Sequence, residues 1–116
     1  MYSLTSANRY YLYQGFVRMN LGIDGLFKII RLQMKDLSPV SGDIFLFFGK
    51  NRQSVKILRW DGDGFLLYYK RLEGGSFELP TFNPNTGNYE ISYQVLSFIL
   101  NGVSLKSVRL RKRFRI

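Results

Sequence analysis

Cysteine and histidine are both absent from the chain. Without cysteine there are no disulfides and no thiolate metal sites. Without histidine the commonest general base and metal ligand is missing as well. Proline is scarce, with three in 116 residues, so each one marks a position where the chain must break. Acid is scarce too: eight carboxylates face seventeen lysines and arginines, giving a net charge of +9. No apolar run approaches the roughly 18 residues of a membrane span. The opening residues, Met1 to Arg9, lack the charged-then-apolar order of a signal peptide. These absences set the expectation of a cytoplasmic protein with no membrane partner.

What remains is a composition 46% hydrophobic and 16% aromatic, which belongs to a globular chain with a core of its own. Residues 1–103 read as a single α+β domain and 104–116 as a basic C-terminal extension. The positive charge attracts polyanions, of which nucleic acid is the abundant one in a cytoplasm.

Along the chain, Arg9 to Tyr13 is aromatic-rich and reads as a first strand, followed by an irregular connection to Leu21. Ile23, Leu26, Phe27, Ile30 and Met34 recur at helical spacing, predicting an amphipathic helix over 22–35. Asp24 falls in its first turn and Lys35 in its last, both favourable to the helix dipole, and Ser38-Pro39 ends it. Ile44 to Phe48 is an unbroken apolar run, the pattern of a central strand covered on both faces. Strands over 54–60 and 65–72 flank Asp61-Gly62-Asp63-Gly64, a hairpin signal, and Ser76 to Leu79 reads as a fourth strand of the meander. Residues 81–90 read as a surface loop. A second helix over 91–100 closes the domain, with Gly102 as its C-cap. The expected fold is therefore α+β: an antiparallel sheet of four to five strands, a meander, with two helices packed on it.

Four blocks of this sequence carry a family resemblance. They are Gly22-Ile23-Asp24-Gly25-Leu26, Gly42-Asp43-Ile44-Phe45-Leu46-Phe47, Lys56-Ile57-Leu58-Arg59-Trp60-Asp61-Gly62-Asp63-Gly64-Phe65, and Tyr69-Lys70-Arg71-Leu72-Glu73-Gly74-Gly75-Ser76-Phe77 with Pro80. Together they resemble the TnpB accessory protein of bacterial insertion sequence family sixty-six, over roughly residues 8–102. That protein is unrelated to the RNA-guided nuclease of the same name. The resemblance implies a mobile-element protein encoded beside a transposase. It implies the transposase and another element-encoded accessory protein as partners. Arg18-Met19-Asn20-Leu21 departs from the acidic-then-basic pattern that usually precedes the first block.

Three groups of residues are candidates for DNA contact. In the tail, Arg109, Arg111, Arg113 and Arg115 alternate with Val108, Leu110, Lys112, Phe114 and Ile116. In an extended chain residues two apart lie about 6.6–7 Å from one another on one face, a spacing close to that of successive phosphates along one strand. Arginine also makes bidentate phosphate contacts. The competing reading is a solvated basic terminus. Lys28, Arg31 and Lys35 lie on the polar side of the first helix, where they suit a DNA backbone or simply the charged face of a surface helix. Lys56, Arg59, Lys70 and Arg71 sit among Tyr10, Tyr11, Tyr13, Tyr68, Tyr69 and Trp60, as in surfaces that stack unpaired bases; tyrosines that close the core are the alternative. The strand period separates them, with Lys56 and Trp60 on one face and Arg59 on the other.

Asp61 and Asp63 invite a two-ion catalytic reading, but aspartate and glycine are what such a turn requires for its own backbone. No catalytic residue, metal or cofactor is expected. The function expected is a non-enzymatic accessory protein of transposition that binds DNA non-specifically. The alternative is a protein–protein adaptor that meets the transposase or another accessory subunit without binding DNA. If the four tail arginines track phosphates, changing all four to Gln flattens the salt dependence of log affinity by up to about three units. Affinity then falls almost equally for all sequences and thermal stability barely changes. Unchanged affinity and slope would make the tail a bystander.

Overall fold

The computed structural model describes residues 4–34, 36–80 and 89–102. Its centre is β2, Ile44–Phe48, in which all five side chains are buried. β2 pairs antiparallel with β3, Ser54–Trp60, which pairs antiparallel with β4, Phe65–Arg71. On its other side β2 pairs with β1, Tyr10–Phe16, and here the strands run parallel. A three-residue strand, β5 (Tyr89–Ile91), adds antiparallel to β1. The sheet order is β4-β3-β2-β1-β5. A pure antiparallel meander was therefore the wrong topology: the sheet is mixed, although the fold is α+β. The reason lies between β1 and β2, where α1 (Ile23–Gln33) intervenes. A helical crossover returns the chain in the same direction, whereas a tight turn reverses it.

Strand alternation sorts the core into two clusters. Tyr11, Phe45, Phe47 and Leu58 pack with Leu26, Ile30 and Met34 of α1. Tyr10, Leu12, Ile44, Leu46, Phe48, Val55 and Ile57 pack with Leu96 and Ile99 of α2, Tyr93–Leu100, and with Phe77. One helix thus covers each face of the sheet, and β2 touches water on neither.

Several local expectations shift for visible reasons. β1 continues to Phe16 because a bulge between Leu12 and Phe16 lets the parallel ladder resume. α1 ends at Gln33, where the N–H of Met34 closes on Ile30 and Asp36 turns left-handed at φ 72; Arg31 is the cation of its last turn. Residues 76–79 form no strand, because this backbone bonds to the β2–β3 turn instead. Leu72 N–H donates to Gln53 O at 2.7 Å and Phe77 N–H to Arg52 O at 2.6 Å. Phe77 is delivered edge-on to Phe48, 5.4 Å between ring centroids. Ile91 belongs to β5, and α2 starts only after Ser92, whose hydroxyl accepts from Val95 N–H at 3.1 Å. Gly102, at φ +75, follows the cap Asn101 in the left-handed conformation that ends many helices. At the other hairpin Gly62 sits at φ +84, Asp61 N–H donates to Gly64 O, and Trp60 meets Phe65 edge-to-face at 5.0 Å.

Candidate nucleic-acid interface

Parallel pairing of β1 and β2 brings their carboxyl ends to one end of the sheet, where open sheets with parallel strands commonly hold ligands. Val17 N–H donates to Phe48 O at 3.0 Å, extending the ladder past β1. Beyond it, residues 16–19 and the turn after β2 form the walls of an open groove of about 790 Å³. Phe16 and Tyr69 line it and are 51% and 53% exposed. Arg18, Lys50 and Asn51 line it as well, and both cations are exposed. No carboxylate is among the lining residues. The turn is closed by its own hydrogen bonds: Asn51 accepts from Gln53 N–H and donates to the Gln53 side chain, and Arg52 takes a left-handed φ of 58.

The cations foreseen on the strands divide between the two faces and take structural tasks. Register puts Lys56 and Arg71 on the side of α1, and Arg59 and Lys70 on the side of α2. Lys56 Nζ donates to Leu21 O at 2.7 Å, tying down the loop that leads into α1. The same ammonium lies 5.5 Å from the centre of the Tyr69 ring, whose hydroxyl is 3.4 Å from Ser54 Oγ. Lys70 Nζ donates to Leu100 O at 3.0 Å, satisfying a carbonyl at the negative end of α2. Arg71 pairs with Glu73 at 3.1 Å, both exposed, an arrangement that contributes little to stability. Arg59 is half-buried at the opposite end of the sheet, in register with Ile44 and Leu66. It acts there on Tyr10, whose phenol is pushed above its ordinary pKa by burial and by Tyr93; the hydrogen bond to Thr5 O and the Arg59 charge oppose the shift.

Lys28 and Arg31 are exposed on α1, and Arg31 lies over the Phe27 ring at 5.9 Å. Lys35 and the tail residues Arg109, Arg111, Lys112, Arg113 and Arg115 lie outside the described residues. Of the tyrosines considered as platforms, Tyr10 and Tyr11 are core residues, 0% and 6% exposed, and Tyr69 is the open one. Sequence reasoning missed Phe16 and Lys50 and left Arg18 unplaced. Each sits in a different connection, and only the β1–β2 pairing brings them together. The available signal was the helix between two strands, which implies a crossover.

Charge is polarised along the strands. Arg18, Lys50, Arg52, Lys56, Lys70 and Arg71 lie toward the groove end with Glu73 and Glu78, while Asp43, Asp61 and Asp63 lie toward the other with Arg9 and Arg59. Six of the seventeen cations and none of the eight carboxylates lie in residues 104–116, leaving +3 for the rest of the chain. That segment follows α2, whose last turn is held to the groove end by Lys70. Among the described residues no three of Asp and Glu group as a metal site, and no helix is long and apolar enough to cross a membrane.

The described residues thus form a small α+β domain with a cation-rich end. Residues 8–110 match the family described as IS66 Orf2 like protein. The chain belongs to that family, which makes it an insertion-sequence accessory protein. It is similar to two proteins of Sinorhizobium fredii (strain NBRC 101917 / NGR234). One, named "Uncharacterized protein y4hO", is 32% identical over 95 residues, 82% of this chain and 80% of the relative. The other, named "Uncharacterized protein y4jC", is 30% identical over 88 residues, 76% of this chain and 73% of the relative. No solved structure matches the chain.

The contacts of Lys56 separate it from the cations that line the groove. Lys56→Met costs about 1–2 kcal/mol, the value of a charged donor lost from a part-buried carbonyl. Arg18→Ala and Lys50→Ala each stay within about 0.5 kcal/mol of the parent, as exposed side chains do. Urea unfolding measures all three. Equal costs would remove the distinction between the structural lysine and the groove cations.

Proposed function

We propose that this protein is a DNA-engaging accessory factor of insertion-sequence transposition that works in the cytoplasm without catalysis of its own. It binds DNA of any sequence through the cation-rich end of its sheet and the arginine tail. In doing so it helps a transposase assemble on element ends. The observation that carries this reading is the gathering of Arg18, Lys50 and Arg52 at the end where α2 leads into the tail. Phosphate contacts of that kind supply affinity without sequence readout.

Titration of the full chain with two unrelated duplexes at two salt concentrations tests the reading. Micromolar binding to both is expected, weakening steeply with salt. No binding at about 50 mM salt would overturn it in favour of an adaptor whose positive end meets an acidic surface on the transposase.

A further inference from the structure

We infer that the groove between Phe16 and Tyr69 binds unpaired nucleotides: bases stack on the two rings while Arg18 and Lys50 hold the linking phosphates. This rests on the reading of DNA as ligand and names the form of DNA that the groove selects. Two large aromatic side chains, each about half exposed, open onto one depression of about 790 Å³. A folding domain gains nothing by leaving them in water. The ring of Tyr69 is held in place by its contacts with Lys56 and Ser54, and Lys56 is itself fixed on Leu21 O. A preset ring loses little freedom when a base stacks on it.

The dimensions fit a short stretch of single strand. Phe16 ends β1, Tyr69 lies near the end of β4, and three strand spacings separate them, about 14 Å. Phe16 is in register with Phe48 on the side of α2 and Tyr69 with Lys56 on the side of α1, so a single strand crossing the end of the sheet meets one ring on each side of it. Arg18 and Lys50 line the same groove, and no carboxylate is among its lining residues to repel a phosphate. Paired bases in a duplex are stacked on one another and present no π-face to such rings, so the groove discriminates single strand from duplex. An acidic peptide would satisfy the two cations but leave both rings exposed.

Fluorescence anisotropy of the full chain with a labelled 12-residue deoxythymidine strand and a labelled duplex tests this. Phe16→Ala and Tyr69→Ala are each expected to weaken single-strand binding by roughly 5- to 150-fold, the range of one base–aromatic stack. Duplex binding should change less than about twofold, because it depends on phosphate contacts. Tyr69→Phe keeps the ring and should bind single strand like the parent, which separates stacking from folding; Phe16→Ala tests the groove without disturbing Tyr69. Ring variants that lose single strand and duplex in equal measure would overturn the inference. So would ring variants that bind both like the parent, an outcome that leaves DNA binding by the cations standing. A parent chain that binds neither nucleic acid would overturn this inference and the DNA-binding function together.

Discussion

Everything in this domain is arranged around a strand that has no face to give to water. Ile44, Phe45, Leu46, Phe47 and Phe48 are all 1% exposed or less. Burying a large apolar side chain contributes about 1.5–3 kcal/mol, so this one strand supplies on the order of 10 kcal/mol, an upper estimate. That is comparable to the whole stability of a small domain. The gain is realised only if both faces are covered. α1 supplies one layer with Leu26, Ile30 and Met34, and α2 supplies the other with Leu96 and Ile99.

Covering β2 on both sides also decides where the chemistry can sit. α1 lies between β1 and β2 in the chain, so those strands run parallel and end together. The connections after them meet at the head of the sheet and bring Phe16, Arg18 and Lys50 into one groove. α2 runs back over the other face until its last turn reaches Lys70 at the same end. Lysines at positions 56 and 70 hold the frame, and the cations left exposed around the groove are the ones available to a ligand.

Much of this was legible from residue order, because local rules act on local residues. The unbroken apolar run at 44–48, the strand at 54–60 and the Asp-Gly-Asp-Gly hairpin stand where pattern and turn chemistry put them. Tyr10 and Tyr11 proved to be core because an aromatic strand beside β2 shares its double cover. Strand partnership was less legible: apolar alternation says which face a residue takes, not which strand lies beside it. β5 escaped because three residues are too few to show a period. Ser76 to Leu79 looked like a strand, yet the hydrogen bond from Phe77 N–H to Arg52 O holds this segment against a turn. The groove was invisible for the same reason, since its residues come from connections that only the finished topology joins.

The family places the protein within insertion-sequence transposition, and the proposed function puts DNA contact at the groove end of its sheet. Two-dimensional NMR of the isotope-labelled full chain, titrated with an unlabelled single-stranded oligonucleotide, tests this most directly. The account predicts that the amides of residues 16–19, Gly49 to Arg52 and Tyr69 shift together, while those of Asp61 to Gly64 at the opposite end stay in place. Shifts confined to Lys28 and Arg31 on the outer face of α1, or centred on the Asp61–Gly64 hairpin, would contradict it.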